Sequence, residues 1–314
     1  MRVFLAGATG ALGRSLVPQL IRAGHEVTGS TRSESKVAEL RAAGADGVVM
    51  DGLDATSVRA AVRAARPDVV VHQQTALSGG MGDLKRIDKG FHTTNLLRTD
   101  GTDHLLAAAL EAGATRFVAQ SFTGWPNART GGPVKTEDDP LASPPPPGAE
   151  ETLRAIEHLE RVTTGTPGID GLALRYGAFY GRGTGLSGDI ADLLRKRRLP
   201  IVGGGTAVWS VVHIDDAARA TLAAIEGGAP GVYNIVDDDP APAAEILTTL
   251  AAAVGAKKPP RLPAWLARPL IGAFGVTFMT ALRGASNAKA GRDLGWKPEH
   301  PSWRQGFHEE DGRG

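Results

Sequence analysis

The stretch Val3–Gly13, VFLAGATGALG, constrains this chain more than any other. Val3, Phe4, Leu5 and Ala6 read as a short buried strand. Gly7, Gly10 and Gly13 then recur at every third position, and an apolar helical pattern follows at Leu12, Leu16, Val17, Leu20 and Ile21. A strand, a tight glycine turn and a helix N-terminus make an anion site, because unpaired backbone N–H groups and the helix dipole both favour a phosphate. Gly7 permits the turn, Gly10 lets the backbone approach a pyrophosphate, and Gly13 lets the helix pack on the strand. Gly7, Thr9, Gly10, Ala11, Leu12, Gly13 and Arg14 are therefore expected to hold a dinucleotide. The competing reading is a glycine turn that serves only the fold.

Downstream, apolar runs alternate with helical patterns. Strands are expected at His25–Ser30, Gly47–Met50, Asp68–His72, Arg116–Ser121 and Gly171–Tyr176. Helices are expected at Glu34–Ala43, Ala55–Ala65, along a long region ending at Gly113, and at Thr152–Val162. Asp68–His72, DVVVH, is the continuous apolar run of a parallel strand covered on both faces. Strands alternating with helices at this spacing imply an α/β fold, a Rossmann-type doubly wound parallel sheet. Asn127–Gly148 is a long polar loop, of a length that marks function or disorder in a compact domain. After Gly181 the pattern loosens. A strand at Ala207–Ile214, helices at Asp215–Glu226 and Pro242–Val254, a strand at Val232–Val236 and a frayed tail after Phe307 are expected. The organisation read from this is a dinucleotide-binding domain over 1–175, to which some later segments return, and a smaller C-terminal substrate lobe over most of 176–314.

Composition narrows the function classes. A net charge of +1 gives no argument for nucleic acid or an anionic membrane as partner. The chain has no cysteine, which removes thiol nucleophiles and thiolate metal sites. Its histidines show no H-x-x-x-H spacing, so no metal is expected. Ala264–Leu282 is largely apolar but holds Arg268 and Pro269 and is barely long enough to span a bilayer, so it reads as buried or interface-facing helix. No charged and apolar leader precedes the first strand, and the expectation is a cytoplasmic protein.

Six stretches then fall, in order, into one pattern: GATGALG at Gly7–Gly13, GTDHLLAAALEAGATRFVAQS at Gly101–Ser121, LRYGAFYGRG at Leu174–Gly183, VHIDDAARA at Val212–Ala220, YNIVD at Tyr233–Asp237 and LGWKP at Leu294–Pro298. In these the chain resembles the extended short-chain dehydrogenase/reductase family, the NAD-dependent epimerase/dehydratase group. The resemblance implies a nicotinamide cofactor, a small-molecule substrate and a homodimer through helices beside the sheet. It also implies a Tyr followed four residues later by a Lys, the Lys lowering the Tyr pKa so that the phenol exchanges a proton with the substrate oxygen. Here the corresponding helix reads EETLRAIEHLERV. Aligning its later glutamate puts Thr152 at the Tyr position and Ile156 at the Lys position; a one-residue shift gives Glu151 and Ala155. Neither register supplies the pair.

Other residues are weighed against that frame. Arg32 stands just past the second strand, where a basic residue suits a 2′-phosphate and an acid suits a free 2′-hydroxyl, so NADP is favoured over NAD. Asp51 and Gly52 resemble the pair that contacts adenine, and Asp51 reads equally as a helix N-cap. Gln73 and Gln74 follow the fourth strand and face the crevice as cofactor or substrate contacts, or lie in a solvated loop. Ser121, and with it Thr123, matches the family's substrate-facing hydroxyl; each equally suits a strand end satisfying local backbone. Tyr176 could reach the nicotinamide region as a replacement donor, or be structural. The expected function is an NADP-dependent oxidoreductase of the extended short-chain type, acting on a small or medium carbonyl or alcohol through a non-standard proton donor. A nucleotide-sugar epimerase or dehydratase with tightly bound NAD, and a non-catalytic NAD(P)-binding sensor, are the alternatives.

Overall fold

The computed structural model describes residues 1–77 and 85–311, with side chains as far as 308. The first strand, β1 (Arg2–Ala6), leads through the glycine turn into α1 (Ala11–Arg22). Then follow β2 (Glu26–Thr31), α2 (Glu34–Ala42), β3 (Asp46–Val49), α3 (Ala55–Ala65) and β4 (Val69–His72). The expected long helical region is α4 (Ile87–Leu96), a π-helical turn (Leu97–Gly101) and α5 (Thr102–Glu111); its portion over 78–84 lies outside the described residues. The series continues with β5 (Arg116–Phe122), α6 (Glu150–Gly165), β6 (Asp170–Tyr176) and β7 (Gly231–Ile235). These seven strands form one parallel sheet in the order β3-β2-β1-β4-β5-β6-β7. That is the α/β, Rossmann-type doubly wound sheet expected.

The apolar runs produce this architecture because successive side chains of a strand point to opposite faces. Val3 and Leu5 of β1, Val69 and Val71 of β4, and Val118 of β5 share one cluster with Leu12, Leu16 and Leu20 of α1. Phe4, Ala6, Val70, Phe117 and Ala119 point the other way, onto Val58 and Val62 of α3 and Leu105 of α5. Each side chain so covered contributes about 1.5–3 kcal/mol of transfer free energy. A further helix, α8 (Ile214–Glu226), closes the first face against α1, with Ala217, Ala220 and Ala224 in that cluster.

The C-terminal lobe has its own core, in which Leu153 and Ile156 of α6 meet Trp209, Leu247, Phe274 and Trp303. It is built on α9 (Ala243–Ala253), α10 (Ala264–Thr280) and α12 (Trp303–Asp311), with the short α7 (Ala191–Arg195) and α11 (Ala288–Asp293) beside them. Two expectations need correction here, the strand after Ala207 and the tail, and the apolar stretch is helical as expected. The strand foreseen at Ala207–Ile214 is broken at Ser210: Val208–Trp209 pairs with Ala241–Pro242, and Val211–His213 pairs with Ala178–Tyr180. The apolar stretch from Ala264 is a helix kinked at Gly272, whose φ of 73° no right-handed turn can hold. Of the tail foreseen as frayed after Phe307, the part up to Asp311 continues α12, and 312–314 lie outside the described residues.

Candidate active site

The carboxyl ends of β1 and β4 frame the crevice where a doubly wound sheet binds ligands. The three glycines of the turn have distinct surroundings. Gly7 has φ of 91°, and a Cβ there would lie 2.7 Å from the carbonyl oxygen of Gln73. A Cβ on Gly13 would lie 2.3 Å from the carbonyl oxygen of Ala8, so that glycine seats α1 on the turn. Gly10 is exposed, and its added Cβ would meet only the Gly7 carbonyl, at 3.2 Å. Gly10 offers no side-chain cap, and the first helical bond runs from Arg14 N–H to the Gly10 carbonyl. The amides of Ala11, Leu12 and Gly13 thus precede the first helical bond.

Gln73 and Gln74 line the other wall. The Gln73 backbone N–H donates to Ala6, its Nε2 donates to the Tyr176 hydroxyl at 3.3 Å, and its buried Oε1 has no partner. Gln74 lies flat on Gly52, where a Cβ would come within 2.5 Å of Oε1; that oxygen is also buried and unpaired. Two orphaned acceptors beside a glycine cradle and free helix amides fit a dinucleotide, which brings both donors and phosphates. Asp51 does not cap α3, contrary to its alternative reading: Asp54 does, accepting from Thr56 N, while Asp51 Oδ1 accepts from Leu53 N at 3.0 Å. Arg32 and Arg14 are both exposed. Near Arg32 the Thr9 and Thr31 hydroxyls lie 3.4 Å apart and the Ser33 and Ser35 hydroxyls 2.7 Å apart.

Towards β5 the hydroxyls are sorted. Ser121 Oγ donates to Glu160 Oε1 at 2.6 Å, and the same carboxylate takes Arg175 Nε at 2.7 Å and Nη2 at 2.6 Å. All three side chains are buried, so the Ser121 hydroxyl is committed to holding α6 on β5 and β6. Thr123, two residues on and on the same face of the strand direction, pairs with Asn127 Nδ2 at 3.1 Å. Tyr176 is fully buried, with its hydroxyl on Gln73 and, at 2.7 Å, on Thr221. Burial raises its phenol pKa well above the ordinary value, with both hydrogen bonds opposing. A phenol so held positions Gln73 and is a poor exchanger of protons at neutral pH.

Thr152 and Ile156 stand on α6 eight and four residues before Glu160. The Thr152 hydroxyl donates to Asp88 Oδ1 at 2.6 Å and accepts from Asn95 Nδ2 at 3.0 Å. Asp88 also accepts from the amides of Thr152 and Glu151, at 2.9 and 3.1 Å, and so caps α6 from the neighbouring helix. Ile156 is fully buried and apolar. In the register that aligns Thr152 with the phenol and Ile156 with the lysine, the first position holds a hydroxyl already donating to Asp88 and the second holds hydrocarbon.

Sequence reasoning passed over Asp88, Asn95, Arg98, Glu160 and Arg175. The signal available was a charge and an amide spaced by three on an otherwise apolar helix face, Asn95 and Arg98. Burial lowers the Arg98 pKa, with Glu160 opposing. His72, at the end of β4, is held in its neutral form: burial pushes it down to about 4. Its Nε2 meets the Leu97 carbonyl at 3.0 Å while Nδ1 accepts from Gln74 N.

The long loop is pinned rather than free over the site. Lys135 Nζ pairs with Asp139 at 3.1 Å, and Glu137 accepts from Asn234 N at 2.7 Å. One cluster escaped the spacing search for metal ligands, since His213, Asp216 and His300 bring ligand atoms within 4.8 Å. Asp216, however, already accepts from Arg219, from the amides of Glu299 and His300, and from the His300 ring. Its acceptor capacity is thus spent on joining α8 to the C-terminal segment. Among the described residues no helix is long and apolar enough to cross a membrane.

Known proteins resemble this chain in sequence and in fold. The model of the NAD dependent epimerase/dehydratase family matches residues 3–236. A 3-diazoavenalumate denitrifying reductase of a Streptomyces species is 46% identical over 316 residues, covering 99% of this chain and 100% of that one. A 2-alkyl-3-oxoalkanoate reductase of Stenotrophomonas maltophilia is 30% identical over 273 residues, covering 82% and 77%. In fold, the chain superposes with a TM-score of 0.77 on a human epimerase family protein crystallised with NADPH, at 20% identity and 99% coverage of both. The two named relatives are reductases, which agrees with an oxidoreductase of the extended short-chain type, and the chain belongs to the NAD-dependent epimerase/dehydratase family.

Proposed function

We propose that this chain is an NADP-dependent reductase that acts without a protein proton donor, on a substrate whose reduction needs none. The observation that carries the reading is Thr152, which in the first of the two registers stands at the acid's position: its hydroxyl donates to Asp88 at 2.6 Å. The turn amides at Ala11–Gly13 would hold the pyrophosphate, Gln73 and Gln74 the flanking donors, and Arg32 with Thr31 and Ser33 the 2′-phosphate. Bound there, the reduced nicotinamide supplies a hydride equivalent.

A carbonyl substrate would leave an alkoxide to be protonated. A diazo group differs. An arenediazonium carbon that exchanges its nitrogen for hydride becomes an arene C–H and releases dinitrogen, with no oxygen to protonate. The relative named for 3-diazoavenalumate shares 46% of its residues with this chain, and a diazo-bearing organic carboxylate is the substrate class we assign. Thr123 and Asn127 then orient the substrate in place of Ser121, whose hydroxyl Glu160 holds. Tyr176 positions Gln73. The protein works in the cytoplasm, where reduced nicotinamide is supplied. The groove of about 410 Å³ between α4 and α6, lined by His92, Leu96, Arg154 and His158, is the surface we assign to a second copy of the chain.

The test supplies purified protein with NADPH deuterated at the transferred position and a diazo derivative of a hydroxycinnamate. Dinitrogen release, stoichiometric NADPH oxidation and one deuteron on the ring carbon are expected. Turnover of ketones but not of the diazo compound would overturn the assignment. NAD retained through purification would favour an epimerase, and failure to take up either nucleotide would favour a sensor.

A further inference from the structure

Arg98 is the least compensated polar group in the site. It is 6% exposed, and its Nη1 has no hydrogen-bond partner. Among the described residues no carboxylate forms a salt bridge with it. Glu160, whose charge acts on it, is occupied by Ser121 and by Nε and Nη2 of Arg175. The pair Glu160–Arg175 is neutral as a unit, so Arg98 leaves one net positive charge in a dry space. His72, also close enough to feel Arg98, is neutral and supplies no counter-charge. A buried cation without an anion is expensive, and an anionic ligand placed beside it would offset that cost.

The backbone fixes where that charge points. A π-helical turn leaves carbonyls without their usual helical donors. Here the Leu97 carbonyl takes His72 Nε2, at 3.0 Å, and the Arg98 carbonyl takes Thr102 Oγ1, at 2.8 Å. The turn is thereby fastened to the end of β4. Long helical side chains run back towards the helix N-terminus. Arg98 does so: its Cζ lies 5.8 Å from the centre of the Phe91 ring, two turns nearer the start of α4. α4 starts on the side of the sheet where β4 ends. Between the two lies Asn95, bonded to Thr152 and with its own buried Oδ1 unpaired. The guanidinium is thus buried at Phe91 of α4, close enough to Glu160 of α6 and to His72 at the end of β4 for its charge to act on both.

We propose that Arg98 is the counter-ion of a carboxylate on the substrate, and that this chain selects organic carboxylates through it. The inference rests on the reductase reading for the identity of the site, and not for its chemistry. A planar guanidinium with unspent N–H groups receives a carboxylate through two parallel hydrogen bonds. A cation fixed on the π-helical turn after α4 leaves the site a positive charge although α6 carries no lysine at Ile156.

The probe is 4-hydroxycinnamate, compared with its methyl ester, on wild type, Arg98→Met and Arg98→Lys, with binding read by tryptophan fluorescence and calorimetry. Wild type is expected to prefer the acid over the ester at least tenfold. Arg98→Met should abolish that preference with unchanged NADPH affinity, and Arg98→Lys should retain part of it. Arg98→Met should also melt higher than wild type without ligand, because it removes an unpaired buried charge. An equal affinity of wild type for acid and ester overturns the proposal, as does an acid preference that survives Arg98→Met. Loss of NADPH affinity in Arg98→Met would assign the charge to the cofactor instead, and a lower melting point or failure to fold would make Arg98 structural. Wild-type protein that binds the acid but no nucleotide would sink the reductase reading and leave the Arg98 site standing.

Discussion

Replacing Glu160 by glutamine tests the electrostatic frame on which the site is hung. The side chain keeps its shape, but one of its two acceptors becomes a donor facing a guanidinium. Three short charge-assisted bonds are affected: 2.6 Å from Ser121, and 2.7 and 2.6 Å from Arg175. The Glu160 and Arg175 side chains are 8% and 7% exposed, so water cannot replace the lost partner. Removing one member of such a buried pair costs about 3–5 kcal/mol, chiefly because the other is left charged and alone. Arg98 would lose its stabilising neighbour as well, which puts the expected loss near the middle of that range, about 4 kcal/mol. At about 2.1 cal/mol/K per residue, the 314 residues unfold with about 0.7 kcal/mol/K of entropy, so the midpoint should fall by about 6 °C. Urea unfolding followed by far-ultraviolet circular dichroism measures the first number, and a thermal scan the second. Glu160→Gln combined with Arg175→Met should recover part of the loss, since it removes both charges. A single substitution costing under about 1 kcal/mol, or a double one costing the sum of the singles, would refute the argument that this pair is dry and mutually dependent.

Three further outcomes follow from the same coordinates. Arg32→Ala should weaken NADPH about tenfold and leave NADH nearly unchanged, since one exposed charge-assisted contact to a 2′-phosphate is at stake; equal weakening of both in a fluorescence titration would remove the NADP assignment. Gly10→Val should leave the melting point almost unmoved and abolish nucleotide binding, because an ordinary φ of −73° accepts a side chain while the open space above the helix amides does not. Asp237 is buried, and burial pushes its carboxyl up to about 8 from 3.8, against the amides of Trp303 and Asp239 that favour the charged form. The folded protein therefore binds a proton that the unfolded chain releases above pH 4. Its contribution to stability is complete below that pH and fades as pH rises through 8, so melting points should fall between pH 5 and 8, with a flatter slope in Asp237→Asn.

The sheet was legible because its signal is local and repeated. In β1 and β4 every residue of the apolar run is covered, and each alternate residue faces a different helical layer, so a strand buried on both sides announces itself in four letters. The glycine turn was legible for the same reason, since its geometry is fixed within one strand–helix joint. The C-terminal lobe was less so. Val208–Trp209 and Val211–His213 form one run in sequence, yet Ser210 turns them onto separate partners, Ala241–Pro242 and Ala178–Tyr180, that no local pattern names.

The side chains of the site were the hardest to read, and the reason is specific. A missing Tyr and Lys is visible as letters, whereas what replaces them depends on which groups already hold each proton and charge. Ser121 has the right spacing for a substrate-facing hydroxyl, but Glu160, thirty-nine residues later, takes its proton. Thr152 is a hydroxyl in the phenol's place, but Asp88, sixty-four residues earlier, takes that one. Arg98 reads as one more cation on a helix until the structure shows that the carboxylate near it belongs to Arg175. The pairings that occupy these two hydroxyls and Glu160 also leave Arg98 without a carboxylate of its own among the described residues. Under the proposed reading, a site that spends its hydroxyls on packing and leaves a guanidinium without a carboxylate among the described residues would hold an anion still while hydride arrives, and that division of labour would suit a reaction in which the leaving group, not an acid, makes the step irreversible.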